Sequence, residues 1–153
     1  MALGGATACW MIVNSGMHFI PAVGIALGIG FLGGLLTGVL VAYCKFQGFV
    51  ASLAVMTIAR GLALVVTNGS PIRVDNGTLN CLASPQYGYP MLLVAIFLII
   101  LFIIIQRFTS YGRIVIAIGS NIQAVELAGI RVKRYLASTY VISGILSAFA
   151  AVL

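Results

Sequence analysis

The sequence predicts an all-α fold: a polytopic bundle of about four to five transmembrane helices, with one short helix on the cytoplasmic side. Three observations carry that prediction. Of 153 residues, 62% are hydrophobic and only 7% are charged, where a soluble domain carries about 45–50% apolar and about 25% charged residues. Apolar runs long enough to cross a bilayer, at roughly 20 residues each, alternate with short polar breaks. The few charges also gather in one segment instead of spreading over a surface. This composition excludes a soluble enzyme, a disordered tail and a nucleic-acid-binding domain. The net charge of +6 rests on eight basic and two acidic residues, so their placement matters more than their sum.

Met1–Val13 is apolar but too short to span alone. It has no basic region of the signal-peptide kind, because the first positive charge is Lys45. A chain that starts within an apolar run reads as one whose upstream part is missing. Asn14, Ser15, Gly16, His18 and Pro21 mark a polar break. Ala22–Tyr43 is the clearest span: 22 uncharged residues, about 33 Å as a helix. Gly24 and Gly28 stand four apart, as do Gly30, Gly34 and Gly38. That spacing stacks small residues on one face and lets a second backbone approach closely. Glycine is also simply common in membrane helices, but three on one ladder point to a multi-helix bundle.

Lys45–Gly48 reads as a tight turn. Phe49–Thr67 follows, with Arg60 as its only charge. An arginine near mid-membrane costs about 2.5–3.5 kcal/mol on insertion scales. Arg60 has three readings: it snorkels towards the interface near Thr67, it pairs with a carboxylate elsewhere in the bundle, or it lines a polar pathway with Ser52 and Thr57. Asn68–Tyr89, with Pro71 and Pro85, reads as a structured loop in which Arg73 and Asp75 cancel. Pro90–Ile105 is a dense aliphatic span, with Tyr87 and Tyr89 at an interfacial belt and Arg107 closing it. Tyr135–Leu153 is the last span. Cys9, Cys44 and Cys81 lack zinc spacing and read as unpaired thiols. With His18 the only histidine, no metal site is expected.

Gln106–Arg134 holds Arg107, Arg113, Arg131, Lys133 and Arg134 against a single acid, Glu126. The positive-inside rule places it in the cytoplasm. Counting back puts Asn68–Tyr89 outside, Lys45–Gly48 inside and Asn14–Pro21 outside. The net charge is thus largely topological and needs no acidic partner. Within this segment, Ser120 and Gln123 fit a capping box, so a helix should start near Asn121. Gly129 is placed to end it, about eight residues later, as a left-handed cap. Ile122, Val125 and Ala128 share one stripe; Ala124, Leu127 and Ala128 share another. Such a helix either docks on a partner or lies on the membrane surface beside its own bundle.

Gly119–Gly129 followed by Val132-Lys-Arg134 resembles the cytoplasmic coupling loop of ABC importer permeases, nearest the ribose/xylose/galactose-type sugar permeases. Gly38-Val-Leu-Val-Ala-Tyr-Cys-Lys45, Phe49-Val-Ala-Ser-Leu53, Arg60-Gly61 and Thr67-Asn-Gly-Ser-Pro-Ile72 are similar to that family too, as is Tyr140–Ala151. The resemblance spans essentially the whole chain and is strongest over Gly33–Ile72 and Ser110–Leu153. Two departures stand out: Ser52 replaces a usual threonine, and Glu126 stands where a basic residue is common. The family's chains are about twice as long, so this chain looks like a fragment or truncated form of a larger permease.

The resemblance implies a permease with no covalent chemistry and no cofactor of its own. In the family, ATP is bound by a separate ATPase subunit, two permease subunits form the pathway, and a periplasmic sugar-binding protein delivers the substrate at the bacterial inner membrane. Carried over, Asn121, Gln123, Ala124, Glu126, Leu127, Ala128 and Gly129 would couple to the ATPase, within a coupling loop at 106–134. Asn68–Tyr89 would face the binding protein. The alternatives are a secondary-transporter fragment, which tends to carry ionisable residues at mid-membrane, and an inactive truncated membrane protein.

Overall fold

The computed structural model describes residues 2–15, 19–70 and 89–152. Among these, all regular structure is helical: α1 (Ala2–Ser15), α2 (Phe19–Ala42), α3 (Gly48–Val66), α4 (Tyr89–Phe108), α5 (Ser110–Ser120), α6 (Ile122–Leu127) and α7 (Val132–Val152). The chain is an all-α polytopic membrane protein. Three helices are long and apolar enough to cross a membrane: Ile20–Ala42, Gly48–Val66 and Val132–Val152. The pair Leu92–Phe108 and Ser110–Ser120 adds a fourth if it counts as one span, but it is bent by 80°. Ala2–Asn14 is apolar and shorter.

Two helices begin earlier than their apolar runs suggest. α2 starts at Phe19, so Pro21 falls within its first turn, where its missing N–H has no helical partner to lose. α7 starts at Val132, because Lys133 and Arg134 are good helix formers and extend the span by a turn. The turn after α2 places Lys45 in the left-handed region at φ 56°. The residues expected to face the outside in the Asn68–Tyr89 loop lie, from 71 to 88, outside the described residues. With them go Pro71, Arg73, Asp75, Cys81, Pro85 and Tyr87, and likewise His18 of the Asn14–Pro21 break.

The chain divides into two compact units. The first contains α1, α2, α3 and α7 from Ala137 onward. Its interior is made mostly of small residues: Ala8, Ala22, Ala26, Ala42, Ala51, Ala63 and Ala148 are all buried, with Ile12 and Thr37 beside them. Large side chains such as Leu32, Leu36, Phe49 and Ile58 are exposed. This inverts the plan of a water-soluble domain. Lipid removes the hydrophobic drive between helices, so backbones close up on small residues while bulky ones face outward. α1 and α2 run antiparallel: Gly4 lies against Ala26, and Ile12 shares a buried cluster with Ala22.

α2 meets α7 along the glycine ladder. A Cβ at Gly30 would lie 2.6 Å from the Gly144 carbonyl oxygen, one at Gly34 2.6 Å from that of Tyr140, and one at Gly38 2.9 Å from that of Ala137. The register runs in opposite senses along the two helices, so α2 and α7 are antiparallel. Gly24 and Gly28 have open space where a side chain would stand. The four-residue spacing therefore continues past the contact it serves: only the second ladder meets a backbone.

The second unit contains α4, α5, α6 and the start of α7. Thr109 separates α4 from α5 and caps the latter, its Oγ1 accepting the Gly112 N–H at 3.2 Å. Gly112 is buried, and a Cβ there would collide with the backbone of Gln106. A glycine is thus what lets the chain turn so sharply. The sequence pointed to a loop with one helix between Gln106 and Arg134; α5 is a second one.

Candidate functional site

α6 forms the first candidate site. Its cap is Asn121, whose Oδ1 accepts the Ala124 N–H at 3.1 Å. Ser120 is not part of a capping box. It ends α5, and its hydroxyl donates back to the Ile116 carbonyl at 2.9 Å, so it is spent on the preceding helix. The helix is accordingly shorter than expected, six residues from Ile122 to Leu127.

Its other end closes as a Schellman motif. The Gly129 N–H donates to the Glu126 carbonyl at 3.0 Å and the Ile130 N–H to the Val125 carbonyl at 3.3 Å. Gly129 takes φ +77°, the left-handed conformation that suits glycine. The hydrophobic contact that accompanies the motif is present: Ile130 packs on a buried cluster of Ile118, Val125 and Val132. Ile114 and Tyr135 pack on the same cluster, and Tyr135 stacks at a tilt on Tyr111 with centroids 5.6 Å apart.

The helix is thus pinned at both ends and by one inward side chain. Of the stripe Ile122, Val125 and Ala128, only Val125 turns inward; Ile122 and Ala128 are exposed. The six-residue helix has too few turns to bury a continuous stripe. Asn121, Gln123, Ala124, Glu126, Leu127, Ala128 and Gly129 are all on the surface. Leu127 is 90% exposed, which makes it a large apolar side chain held out on a rigid support.

The second candidate site is a groove of about 510 Å³ within the first unit, bounded by α2, α3 and α7. Gly30, Gly33 and Gly34 form one wall; of the three, only Gly33 has open space where a side chain would stand. Ser52, Met56 and Arg60 approach from α3, four residues apart in each step and so on one face. Thr37, Tyr140, Ser143 and Ser147 complete the polar lining. Of the expected pathway residues, Ser52 and Arg60 line this groove. Thr57 does not: it sits beyond that face, exposed, its hydroxyl donating to the Leu53 carbonyl at 2.8 Å.

Ser52 and Thr37 also donate to their own helices, to Phe49 and Gly33 at 2.9 Å each. Such back-bonding satisfies a hydroxyl proton in an apolar setting and leaves the oxygen lone pairs to accept. The sequence reading missed Thr37, Ser143 and Ser147. The four-residue interval between the two serines was the available signal. Among the described residues no cluster of three metal-ligating side chains occurs, and Cys9 and Cys44 are free.

The whole chain, residues 1–153, matches the family described as branched-chain amino acid transport system / permease component. It is 35% identical to the galactofuranose transporter permease of Escherichia coli over 100% of this chain and 45% of that protein. It is 36% identical to the ribose import permease of Haemophilus influenzae over 98% of this chain and 48% of the relative. The fructose import permease of Bifidobacterium longum shares 33% over 98% of this chain and 44% of the relative. The chain therefore spans about half the length of these curated relatives. No solved structure matches it. With its helical spans and its match along the full length, the chain belongs to the permease family of ABC importers, and sugar permeases stand among its relatives.

Proposed function

We propose that this chain is permease sequence of an ABC importer that moves a monosaccharide across the bacterial inner membrane. The permease supplies the pathway and no covalent chemistry. A separate ATPase subunit binds and hydrolyses ATP, a periplasmic binding protein delivers the sugar, and a second permease subunit completes the channel. Sugar-importing relatives at 33–36% identity support the solute class.

One observation carries the coupling role. α6 is sealed by Asn121 at its start and by the Gly129 turn at its end, and it presents Leu127 almost wholly to solvent. Leu127 inserts into the ATPase, with Gln123, Ala124 and Ala128 around it and Glu126 at the rim of the contact. Because the helix cannot bend, movement of the ATPase passes as a rigid displacement to its sequence neighbours α5 and α7, and through α5 to α4.

Leu127→Asp leaves insertion and yield unchanged, since nothing packs on a side chain so exposed. It abolishes co-purification of the ATPase subunit and ATP-driven sugar uptake. Gly129→Pro does the same by removing the N–H that closes the turn and the left-handed φ. Normal uptake in both variants rules out the docking role of α6.

A further inference from the structure

The second unit gathers most of the chain's charge. Arg107 stands in the last turn of α4, Arg113 on α5, and Arg131, Lys133 and Arg134 at the start of α7. All five are exposed. One buried knot ties their helices together. Ile118 of α5, Val125 of α6 and Val132 of α7 share a cluster, Tyr111 lies against Tyr135, and Gly112 lies against the backbone of Gln106. Cations well apart in sequence thereby share one small body.

Topology accounts for the sign of these charges but not for their positions. Lys133 and Arg134 occupy the first turn of α7, the positive end of the helix dipole, where acids are the stabilising choice. Like charges held in one body also repel one another. Arg113 donates to the Ser110 hydroxyl at 3.3 Å, which neutralises no charge. An anionic neighbour relieves both costs.

Depth and company say which neighbour. Arg107 closes the apolar run of α4, and Lys133 and Arg134 open the span Val132–Val152. α5 leaves α4 at 80°, so it runs along the surface of a bilayer that α4 enters. Large apolar side chains stand among the cations. Phe108, 76% exposed, follows Arg107, and Ile116, 52% exposed, lies one turn from Arg113 on α5. Cations beside exposed apolar side chains suit the boundary between headgroups and hydrocarbon. α6, the helix that presents Leu127, carries none of the five.

We propose that the α4–α5 bend and the start of α7 form a binding surface for anionic phospholipid headgroups. Arg107, Arg113, Arg131, Lys133 and Arg134 meet the phosphates, while Phe108 and Ile116 enter the acyl region. The surface requires that the spans sit in a bilayer. It is independent of the transported solute and of ATPase docking by α6.

The sequence has one tryptophan, Trp10 on α1, so a local lipid probe is simple to build. The full chain carrying Trp10→Phe and Phe108→Trp is reconstituted in vesicles of equal parts phosphatidylcholine and phosphatidylglycerol, with one lipid or the other brominated on its acyl chains. Bromine quenches a tryptophan that it touches, so the two preparations report which lipid stands beside the bend. Phosphatidylglycerol is enriched there about fivefold or more, the scale of a single cation near an anionic surface. The enrichment falls towards parity in about 1 M salt, where the screening length drops to about 3 Å. Arg131→Gln with Arg134→Gln lowers it, and Arg131→Lys with Arg134→Lys keeps it. Lys45→Gln with Arg60→Gln removes the same charge from other elements and leaves it unchanged. The parent chain, reporting from Trp10, shows no preference.

Equal quenching by the two lipids overturns the proposal. So does a preference that the Lys45 and Arg60 pair removes as fully as the Arg131 and Arg134 pair, which makes it an effect of net charge. Absence of quenching by either lipid puts position 108 in water or under protein and overturns it too. Displacement of the brominated lipid by an added ATPase subunit assigns the cations to that protein and does the same.

Discussion

The glycine ladder between α2 and α7 and the capped helix α6 reach rigidity by opposite means. At the ladder, order comes from what is absent: no side chain stands at Gly30, Gly34 or Gly38, so a neighbouring backbone comes within reach of where a Cβ would sit. At α6, order comes from what is present: a side-chain cap, a left-handed turn and a buried cluster of Ile118, Val125 and Val132. The surroundings explain the difference. In lipid, apolar side chains gain nothing by meeting one another, so close packing and small residues dominate. In water, a helix of six residues is far below the length at which it forms unaided, and caps and burial have to supply its stability.

Substitutions can break or sharpen that contrast. The largest effect is expected at the ladder. Gly34→Leu drives a side chain into the Tyr140 and Val141 backbone, which cannot give way, and costs about 3 kcal/mol or more. The variant should be lost from the membrane or unfold early in a thermal assay in detergent. Gly28→Ala is its control. Nothing lies within 4 Å of that position, so it should match the parent within about 0.5 kcal/mol. Equal damage from the two would mean that the contact does not discriminate along α2.

Smaller effects belong to α6 and the turns that close it. Gly129→Ala forces a Cβ into the left-handed region and costs about 1–2 kcal/mol locally. Hydrogen exchange should quicken at Ile130, whose amide bonds the Val125 carbonyl, while the bundle is unchanged. Asn121→Ala removes the cap of α6 and costs about 1 kcal/mol. Its signature is faster exchange at the Ala124 amide. Ser120→Ala is the smallest, within about 0.5 kcal/mol, because its hydroxyl serves α5 and not the start of α6. Were Ser120→Ala to outweigh Asn121→Ala, the cap would have been assigned to the wrong residue.

Much of this was legible in the order of residues. The long apolar runs marked the spans, since a backbone in lipid must satisfy its own hydrogen bonds and a helix does so locally. Gly129 was recognisable as a helix stop because left-handed conformation is a property of one residue. The shift of the cap from Ser120 to Asn121 was not legible. Both side chains can cap, and the choice depended on α5 running up to Ser120 and taking its hydroxyl. Nor was α5 itself: its apolar stripe of Ile114, Ile118 and Tyr111 is interrupted by Gly112, which reads as a loop signal until the sharp turn at Thr109 shows what the glycine admits.

The sequence by itself determined the solvent of this protein, its helical class, the segments that span, the excess of positive charge in one connection and the glycine that ends α6. Those follow from composition and short-range periodicity, where each residue contributes on its own account. The tertiary structure decided which glycines bear a contact and that Ser52 and Arg60 share a groove while Thr57 does not. It also decided that Val125 turns inward and Leu127 outward. Those outcomes depend on which helix lies alongside, a relation between residues more than 100 positions apart in the case of Gly34 and Tyr140, which no local pattern encodes.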